Sequence, residues 1–313
     1  MNERNGIILR LLGSHIFPVI GFIILSVLLE KDSLLLLLIS LNILIITFYA
    51  GYWEFFGKKF KWVFTISLSA VIVFIFIWRI KGYAPDLNNF QFIVLSILQA
   101  YLIFQLIKIL ITIYERGKYA CEIEFPLENG KYLITDGGNS KVSRLMNYHY
   151  YSSTHKKNRT NNSMLYATDI VKLSGGNKKF LPLNNEDYPV FNENVYSPMD
   201  GIIFKIVNDI PDNRPFSGNY PYNSGNTIVI KNGDYYFLLG HLKYDSIEIH
   251  EGDEVQKGQY LAKIGNSGWT ERPHLHMQLI NSENENYWHG IGVPLKYKNK
   301  NLYKNRIIDT ASD

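Results

Sequence analysis

The sequence contains a single cysteine, Cys121, among 313 residues. One thiol excludes both an intramolecular disulfide and a cysteine-based metal cluster. The chain also lacks a G-x-x-x-x-G-K-[ST] loop, which would hold nucleotide phosphates, and a G-x-S-x-G turn, which would present a serine nucleophile. The sequence therefore points away from phosphate-loop nucleotide chemistry and from serine hydrolases of this type.

The C-terminal two-thirds of the chain lacks the positive charge that a nucleic-acid-binding domain needs. Residues 1–118 hold 11 of the 32 lysines and arginines but 6 of the 28 acidic residues, whereas residues 119–313 hold 21 and 22. The basic excess therefore lies beside hydrophobic segments, where lipid headgroups and membrane topology account for it. No nucleic-acid partner is expected.

Four apolar stretches in the first third of the chain predict a membrane domain. They cover residues 16–29, 34–52, 62–78 and 90–114. A bilayer core needs about 20 apolar residues per helix, and the tryptophans at both ends of the third stretch are typical of a membrane interface. The first stretch is the shortest. The sequence predicts about four transmembrane helices in a lipid bilayer.

Short alternating runs with turn residues between them begin near residue 120 and predict a β-rich domain. Residues 227–231 and 234–239 flank Asn232-Gly233, a strong signal for a two-residue hairpin turn. The polar residues 151–163 predict a loop. A polar, basic tail is expected at the C-terminus.

A His-x-His pair lies in residues 274–280, which read His-Leu-His-Met-Gln-Leu-Ile. On a strand, this spacing places His274, His276 and Gln278 on one face. A catalytic zinc ion has three protein ligands, usually histidine and carboxylate, and a water in the fourth position. The pair alone does not establish a metal site, because two histidines can also lie on a strand without binding metal. The surrounding sequence favours the metal site.

Four ordered motifs resemble the M23 metallopeptidases, the lysostaphin/LytM-type endopeptidases. The motifs are YSPMDGIIFKI (196–206), GNTIVI (225–230), YYFLLGHL (235–242) and GDEVQKGQYLAKIGNSGWTERPHLHMQL (252–279). They are similar to the family's A-P-x-D-G-x-V strand, its G-N-x-V-x-I strand, its Y-x-H-L strand and its signature ending in P-H-L-H. The resemblance covers roughly residues 130–290.

The resemblance implies Zn²⁺ as the cofactor and assigns most of the site. His276 matches the histidine ligand of H-x-H, and Asp169, in YATDIV, matches the aspartate ligand. His241 and His274 match the two catalytic histidines that do not bind zinc. Which of these two is the base stays open. Zinc in such a site activates a water for attack on a peptide carbonyl.

The first histidine ligand departs from the common H-x-x-x-D pattern, because Leu165 stands four residues before Asp169. Some family members carry an N-x-H element before a longer insertion, and MNYHYY (146–151) is similar to that variant. His149 is therefore assigned as the ligand, with His155 as the competing candidate. A further residue should orient the His149 ring, but the sequence does not identify it.

The fold class that follows is α + β and multidomain. Residues 1–118 are expected to form a transmembrane helical bundle and residues 119–295 a mainly antiparallel β-sheet LytM-like domain of the duplicated hybrid motif type. Residues 296–313 are expected to form a polar basic tail. The resemblance implies a zinc metalloendopeptidase with peptide bonds of peptidoglycan cross-bridges or stems as its substrate, and the apolar stretches of residues 1–118 imply that it is anchored in a membrane.

Two other functions and the membrane topology stay open. A membrane peptidase could use the same chemistry on a peptide or protein substrate, and a non-catalytic LytM-like module could activate another hydrolase. The expected localisation is a multi-pass protein of the cell membrane with an extracytoplasmic catalytic domain. The positive-inside rule opposes this placement if there are four spans, because it then puts the C-terminal domain in the cytoplasm.

Overall fold

A computed structural model describes residues 3–13, 17–18, 21, 33–80, 89–114, 120–138, 143, 145–149, 162–173, 180–217 and 224–310. The chain divides into two compact units, one of Asn5–Ile111 and one made mainly of Thr112–Asp313. The first unit is helical and the second is built mostly from strands. The change of pattern near residue 120 thus corresponds to a change of architecture.

The described part of the N-terminal region forms helices. These are α1 (Glu3–Leu11), α2 (Ser33–Ala50), α3 (Gly57–Ile80) and α4 (Asn89–Tyr114), with a 3-10 turn at Trp53–Phe55. Leu44 of α2 packs against Leu68 and Ile72 of α3 in a small buried cluster. The Trp53 indole donates to the Phe48 carbonyl at 2.9 Å, which ties the turn to the end of α2.

Helix α4 is the one helix within the described ranges that is long and apolar enough to cross a membrane. Its 26 residues extend about 39 Å at 1.5 Å per residue, which exceeds a hydrocarbon core of about 30 Å. Only 11% of its most apolar window is buried inside the chain, whereas the core helix of a soluble protein is mostly covered. Helix α4 is therefore a candidate membrane span by its length and composition.

The predicted bundle of four spans is supported only in α4. The first stretch, residues 16–29, lies almost entirely outside the described residues. The second and third stretches fall on α2 and α3, and only the segment Leu38–Ala50 of α2 stands out as a further, shorter apolar helix. The multi-span membrane domain therefore stays a prediction.

Strands dominate the second unit. Along the chain they are β1 (Cys121–Glu122), β2 (Lys131–Gly137), β3 (Thr168–Lys172), β4 (Asn194–Tyr196), β5 (Gly201–Val207), β6 (Asn226–Asn232), β7 (Tyr235–Leu242), β8 (Glu254–Val255), β9 (Tyr260–Lys263), β10 (Leu275–Asn281), β11 (Ile291–Val293), β12 (Leu295–Tyr297), β13 (Lys300–Asn301) and β14 (Ile307–Asp309). Short 3-10 turns lie at Asn162–Met164, Asn185–Asp187 and Tyr287–His289.

The main sheet follows the order β14-β2-β3-β10-β7-β6-β5-β8, and β11 also pairs with β10. Each of these pairs is antiparallel. Two smaller sheets, β1-β12-β13 and β4-β9, complete the described strands. The prediction of a mainly antiparallel β-sheet domain is confirmed.

Strand β10 lies near the centre of this sheet. Its first half pairs with β3 and its second half with β11, while β7 pairs along the opposite edge. Leu275, Met277 and Leu279 are at most 2% exposed and form one apolar face. The alternate residues His276 and Gln278 therefore lie on the other face. A strand paired on both edges gives these side chains a rigid backbone.

The predicted hairpin between β6 and β7 is confirmed, but its turn differs by one position. Asn232 pairs with Tyr235, so the two loop residues are Gly233 and Asp234 rather than Asn232 and Gly233. Gly233 has φ 57°, which fits a hairpin turn with glycine at its first central position.

The C-terminal residues expected as a polar tail are instead paired into sheets. β12 pairs with β1, and β14 pairs with β2 of the main sheet. Tyr297, Leu302 and Ile308 are buried, and these well-spaced apolar residues explain why the segment packs against the domain despite its lysines. Residues up to 310 therefore belong to the β-rich unit, and the remaining three lie outside the described residues.

Candidate metal centre

The register between β3 and β10 brings together the first two residues of the centre. His276 lies directly opposite Asp169 in this antiparallel pair, so their side chains project from the same face of the sheet. His276 Nδ1 lies 3.0 Å from Asp169 Oδ1. On its other side, His276 Nε2 lies 3.1 Å from the side-chain oxygen of Gln278. Because Nε2 of His276 contacts Gln278, the other ring nitrogen of His276, Nδ1, faces Asp169.

His149 reaches the same point from a short segment of non-strand chain. Its Nε2 lies 3.2 Å from Asp169 Oδ2, and its ring centroid lies 5.0 Å from that of His276. Both histidines are buried. The structure thus brings His149 and Asp169 together with His276, although His276 lies 107 residues after Asp169 in the sequence. The competing candidate, His155, lies outside the described residues.

These three side chains fit a tetrahedral zinc site. One ligand atom from each of the three lies within 4.8 Å of the other two. Zinc bonds of about 2.0–2.1 Å at tetrahedral angles place ligand atoms about 3.3 Å apart. The closest approaches here, at 3.2 and 3.0 Å, are close to that spacing. Two imidazoles and one carboxylate are also a donor set that catalytic zinc uses.

His241 lies beside this group, near the end of β7. Its ring centroid lies 4.7 Å from that of His274 and 5.7 Å from that of His276. His241 Nδ1 lies 2.8 Å from the Ser267 carbonyl oxygen. Because a carbonyl only accepts, Nδ1 carries the proton and Nε2 carries the lone pair. The backbone of His241 has φ 58°, an uncommon conformation that active sites often hold.

His274 is held in the same way, immediately before β10. Its Nδ1 lies 2.9 Å from the Arg272 carbonyl oxygen, which again places the proton on Nδ1. Its Nε2 lies 3.5 Å from Asp169 Oδ1. His241 and His274 are therefore neighbours of the three-residue group, and backbone carbonyls fix the tautomer of each ring.

The charges in the centre are strongly coupled. Burial acts to lower the pKa of His149, but the carboxylates of Asp169 and Asp136 outweigh it and hold that pKa well above its ordinary value. Burial acts to raise the pKa of Asp169, but His149 and His274 hold it well below its ordinary value. His149 and Asp169 thus each favour the charged form of the other.

His241 has the opposite electrostatic environment. Burial and the neighbouring rings of His274 and His276 hold the pKa of His241 well below its ordinary value. The ring is therefore neutral at physiological pH, and its Nε2 is able to accept a proton.

The turn that holds His241 depends on Gly225. A Cβ at this position would collide with the carbonyl group of Ser267, the acceptor for His241 Nδ1. Gly225 also has φ 69°, a conformation that favours glycine. Ser267 is anchored on its other side, because its hydroxyl donates to the Leu242 carbonyl at 2.6 Å.

Gly225→Ala is therefore expected to move the Ser267 carbonyl and misalign His241, with a loss of turnover of up to about 100-fold. Gly233→Ala is the matched control, because Gly233 also has positive φ but a Cβ there meets open space. Backbone strain should cost each variant about 1–2 kcal/mol of stability, and Gly225→Ala should lose more because its Cβ also collides with Ser267; denaturant unfolding measures both losses. Equal turnover in the two variants would contradict this role of the Gly225 turn.

Sequence reasoning missed Asp136. This residue lies on β2 directly opposite Asp169, and its Oδ2 lies 3.1 Å from His149 Nδ1. A register shift between Ile134 and Asp136 creates this alignment. Such an irregularity leaves no reliable signature in a single sequence, so only the folded sheet shows which aspartate meets His149.

Comparison with known proteins gives one family match. Residues 187–287 match the model of Peptidase family M23. The matched segment includes His241, His274 and His276, whereas His149 and Asp169 precede it. All five sit within the β-rich unit.

One curated relative and two solved structures are similar to parts of this chain. Peptidoglycan DD-endopeptidase ShyA of Vibrio cholerae is 30% identical over 113 residues, which are 36% of this chain and 23% of the relative. A zinc-containing peptidase from Vibrio cholerae is 22% identical over 56% of this chain and 41% of its own, with a TM-score of 0.32. The catalytic domain of lysostaphin from Staphylococcus simulans is 16% identical over 44% and 77%, with a TM-score of 0.28.

The chain therefore spans about a quarter of the length of the curated relative that it matches. The sequence motifs and the family match overlap on β7, which carries His241, and on β10, which carries His276 and follows His274 directly. Within its β-rich unit, the protein contains a segment, residues 187–287, that is similar to the M23 peptidase family.

Proposed function

We propose that this protein is a membrane-anchored zinc metalloendopeptidase that cleaves peptide bonds in the cross-bridges or stems of peptidoglycan. The observation that carries the proposal is the group of His149, Asp169 and His276, with His241 and His274 beside it. The M23 family match supports a peptide-bond hydrolase. The relative named as a peptidoglycan DD-endopeptidase supports the choice of substrate.

In this proposal His149 Nε2, the Asp169 carboxylate and His276 Nδ1 hold the zinc ion. When bound, zinc lowers the pKa of a water from 15.7 toward about 7 and polarises a peptide carbonyl. Asp169 offsets part of the metal charge, while the two uncharged rings leave the site electrophilic. The centre is mostly buried, which strengthens these interactions relative to those in bulk water.

The two remaining histidines move the protons of the reaction. The attacking water loses a proton to an imidazole Nε2 as its oxygen bonds to the carbonyl carbon. The same proton then goes to the leaving nitrogen as the C–N bond breaks, so no other reactant is consumed. His241 and His274 each have Nδ1 bound to a backbone carbonyl, so each presents Nε2 for this transfer. The second ring, when its Nε2 also carries a proton, would donate to the carbonyl oxygen and stabilise the charge that develops there.

Membrane attachment is proposed from α4 and from the apolar stretches that precede it. The length and exposure of α4 support one crossing of a bilayer. A substrate in the cell wall requires the β-rich unit on the extracytoplasmic side, so the proposal adopts that orientation together with a multi-pass membrane domain.

The proposal is tested by incubating the full-length chain, purified in mild detergent, with purified peptidoglycan. Release of new amino termini is measured by chemical labelling and mass spectrometry, with and without a zinc chelator. We expect chelator-sensitive release from the wild type and none from His276→Ala. Absence of release by a folded, zinc-loaded wild type would contradict the peptidoglycan substrate. Hydrolysis of peptides or membrane proteins by that preparation would support the alternative peptidase function.

A folded wild type that binds no zinc and cleaves neither substrate class would contradict the enzyme proposal itself. In that case the non-catalytic module would be the function that the fold still supports. The metal content of the purified chain, measured on the same sample, separates these results.

A further inference from the structure

An irregularity in β2 places a second carboxylate beside the proposed metal centre. Ile134 pairs with Ile170 and Asp136 pairs with Asp169, so Thr135 is the extra residue on β2. A bulge of this kind re-aims a side chain and is common next to active sites. As a result, Asp136 and Asp169 lie side by side on neighbouring strands.

These two carboxylates contact opposite edges of the same imidazole. Asp169 Oδ2 lies 3.2 Å from His149 Nε2, and Asp136 Oδ2 lies 3.1 Å from His149 Nδ1. The Asp136 carboxylate also accepts the Tyr148 backbone N–H, at 3.1 Å to Oδ1 and 3.0 Å to Oδ2. Asp136 therefore lies against the His149 ring and also accepts the backbone N–H just before it.

We propose that Asp136 is the positioning residue for His149. Its carboxylate oxygen lies 3.1 Å from His149 Nδ1 and is placed to accept the proton of that nitrogen when zinc takes Nε2. This contact would fix the tautomer and direct the Nε2 lone pair toward Asp169 and His276. This inference rests on the proposed zinc centre and assigns the orienting group for its first ligand. Asp136 is not assigned as a ligand, because it lies beside the ring nitrogen that points away from the other two ligands.

The need for such a residue follows from the position of His149. His276 and Asp169 lie on paired strands, whereas His149 lies on a short segment outside the sheet. An imidazole that binds zinc usually donates its second N–H to a carboxylate or carbonyl, which fixes its orientation and raises its basicity. The carboxylate of Asp136 is placed to do this for His149.

Other contacts hold the backbone of this segment without Asp136. The Asn147 side chain donates to the Leu165 carbonyl at 2.8 Å. The buried Lys304 ammonium donates to the Leu145 carbonyl at 3.2 Å. The segment therefore has anchors on both sides of its turn, and a conservative change at Asp136 should alter the ring more than the fold.

The test measures the zinc affinity of the full-length chain by competition with a chelator of known affinity. Asp136→Asn keeps the size of the side chain but leaves one uncharged oxygen for two donors. We expect its zinc dissociation constant to rise about 10–100-fold. Asp253→Asn is the matched control. Asp253 also accepts a backbone N–H, that of His250, and lies near the His250 imidazole, but this pair is at an exposed site. Its zinc affinity should equal that of the wild type.

A double-mutant cycle separates positioning from a purely structural role. If Asp136 acts through His149, then Asp136→Asn adds no further loss of zinc affinity in a His149→Ala background. An equal loss in both backgrounds would overturn the proposal, as would unchanged zinc affinity in Asp136→Asn alone. Asp136→Ser, which retains a hydroxyl acceptor for the Tyr148 N–H, provides the same comparison if the asparagine variant does not fold. A wild type that binds no zinc would instead contradict the proposed function.

Discussion

Replacing His276 by alanine is expected to reduce zinc affinity by more than about 100-fold, since loss of a direct ligand should exceed the loss caused by an orienting residue. His276 contributes one of three proposed ligand atoms and lies opposite Asp169 in the register of β3 and β10. Strand β10 is paired on both edges, so its backbone is not expected to shift and bring another side chain into the place of the missing imidazole. Metal content after dialysis and chelator competition measure the effect.

The control for this substitution is His250→Ala. The His250 side chain is 87% exposed and lies in a turn near Asp253, away from the strands of the centre. Its removal should leave metal content and thermal stability unchanged. Wild-type zinc affinity in a folded His276→Ala variant would show that the ligand set is wrongly assigned.

Replacing His241 by alanine is expected to leave zinc bound and to lower turnover by about 10²–10⁴-fold, the usual contribution of a positioned acid–base residue. The ring of His241 lies close to His274 and His276, but its Nδ1 proton is engaged by the Ser267 carbonyl. Only Nε2 is then available for proton transfer. Steady-state kinetics and metal analysis on the same preparation measure both properties.

The combination of results distinguishes a proton-transfer residue from a ligand. Loss of zinc in His241→Ala would place His241 among the ligands, whereas full turnover with zinc bound would remove it from the reaction. His250→Ala again serves as the control and should retain both properties, since its ring lies outside the centre.

The parts of the fold that short-range pattern determines were predictable from the sequence. Alternation along residues 274–280 identified the strand β10 and the face shared by His276 and Gln278. The turn residues near Gly233 identified the hairpin of β6 and β7, although the loop begins one residue later than expected. In both cases the signal lies within a few neighbouring residues.

The parts that depend on long-range pairing were not predictable. The bulge at Thr135, which aligns Asp136 with Asp169, arises from the pairing of β2 with β3. The C-terminal strand β14 pairs with β2, which lies more than a hundred residues earlier in the chain. No local pattern marks this pairing, and the basic composition of the segment predicted a tail instead. Sequence alone could not name the partner of His149 for the same reason.

The helical region shows the limit of composition as evidence. Length and hydropathy predicted four spans, and the structure supports one of them, α4. Some apolar residues of α2 and α3 pack against each other, as Leu44 of α2 and Leu68 of α3 do. Apolar composition alone does not distinguish helix–helix contact from lipid contact.

The central claim is that one zinc ion, held by His149, Asp169 and His276, supports peptide-bond hydrolysis. The most direct test is a titration of the metal-free, full-length chain with zinc, in which release of amino termini from peptidoglycan is measured at each addition. We predict that activity rises linearly with zinc and reaches its plateau at one equivalent per chain. Activity that is independent of added zinc, or that never appears in a folded chain carrying one zinc ion, would contradict this account.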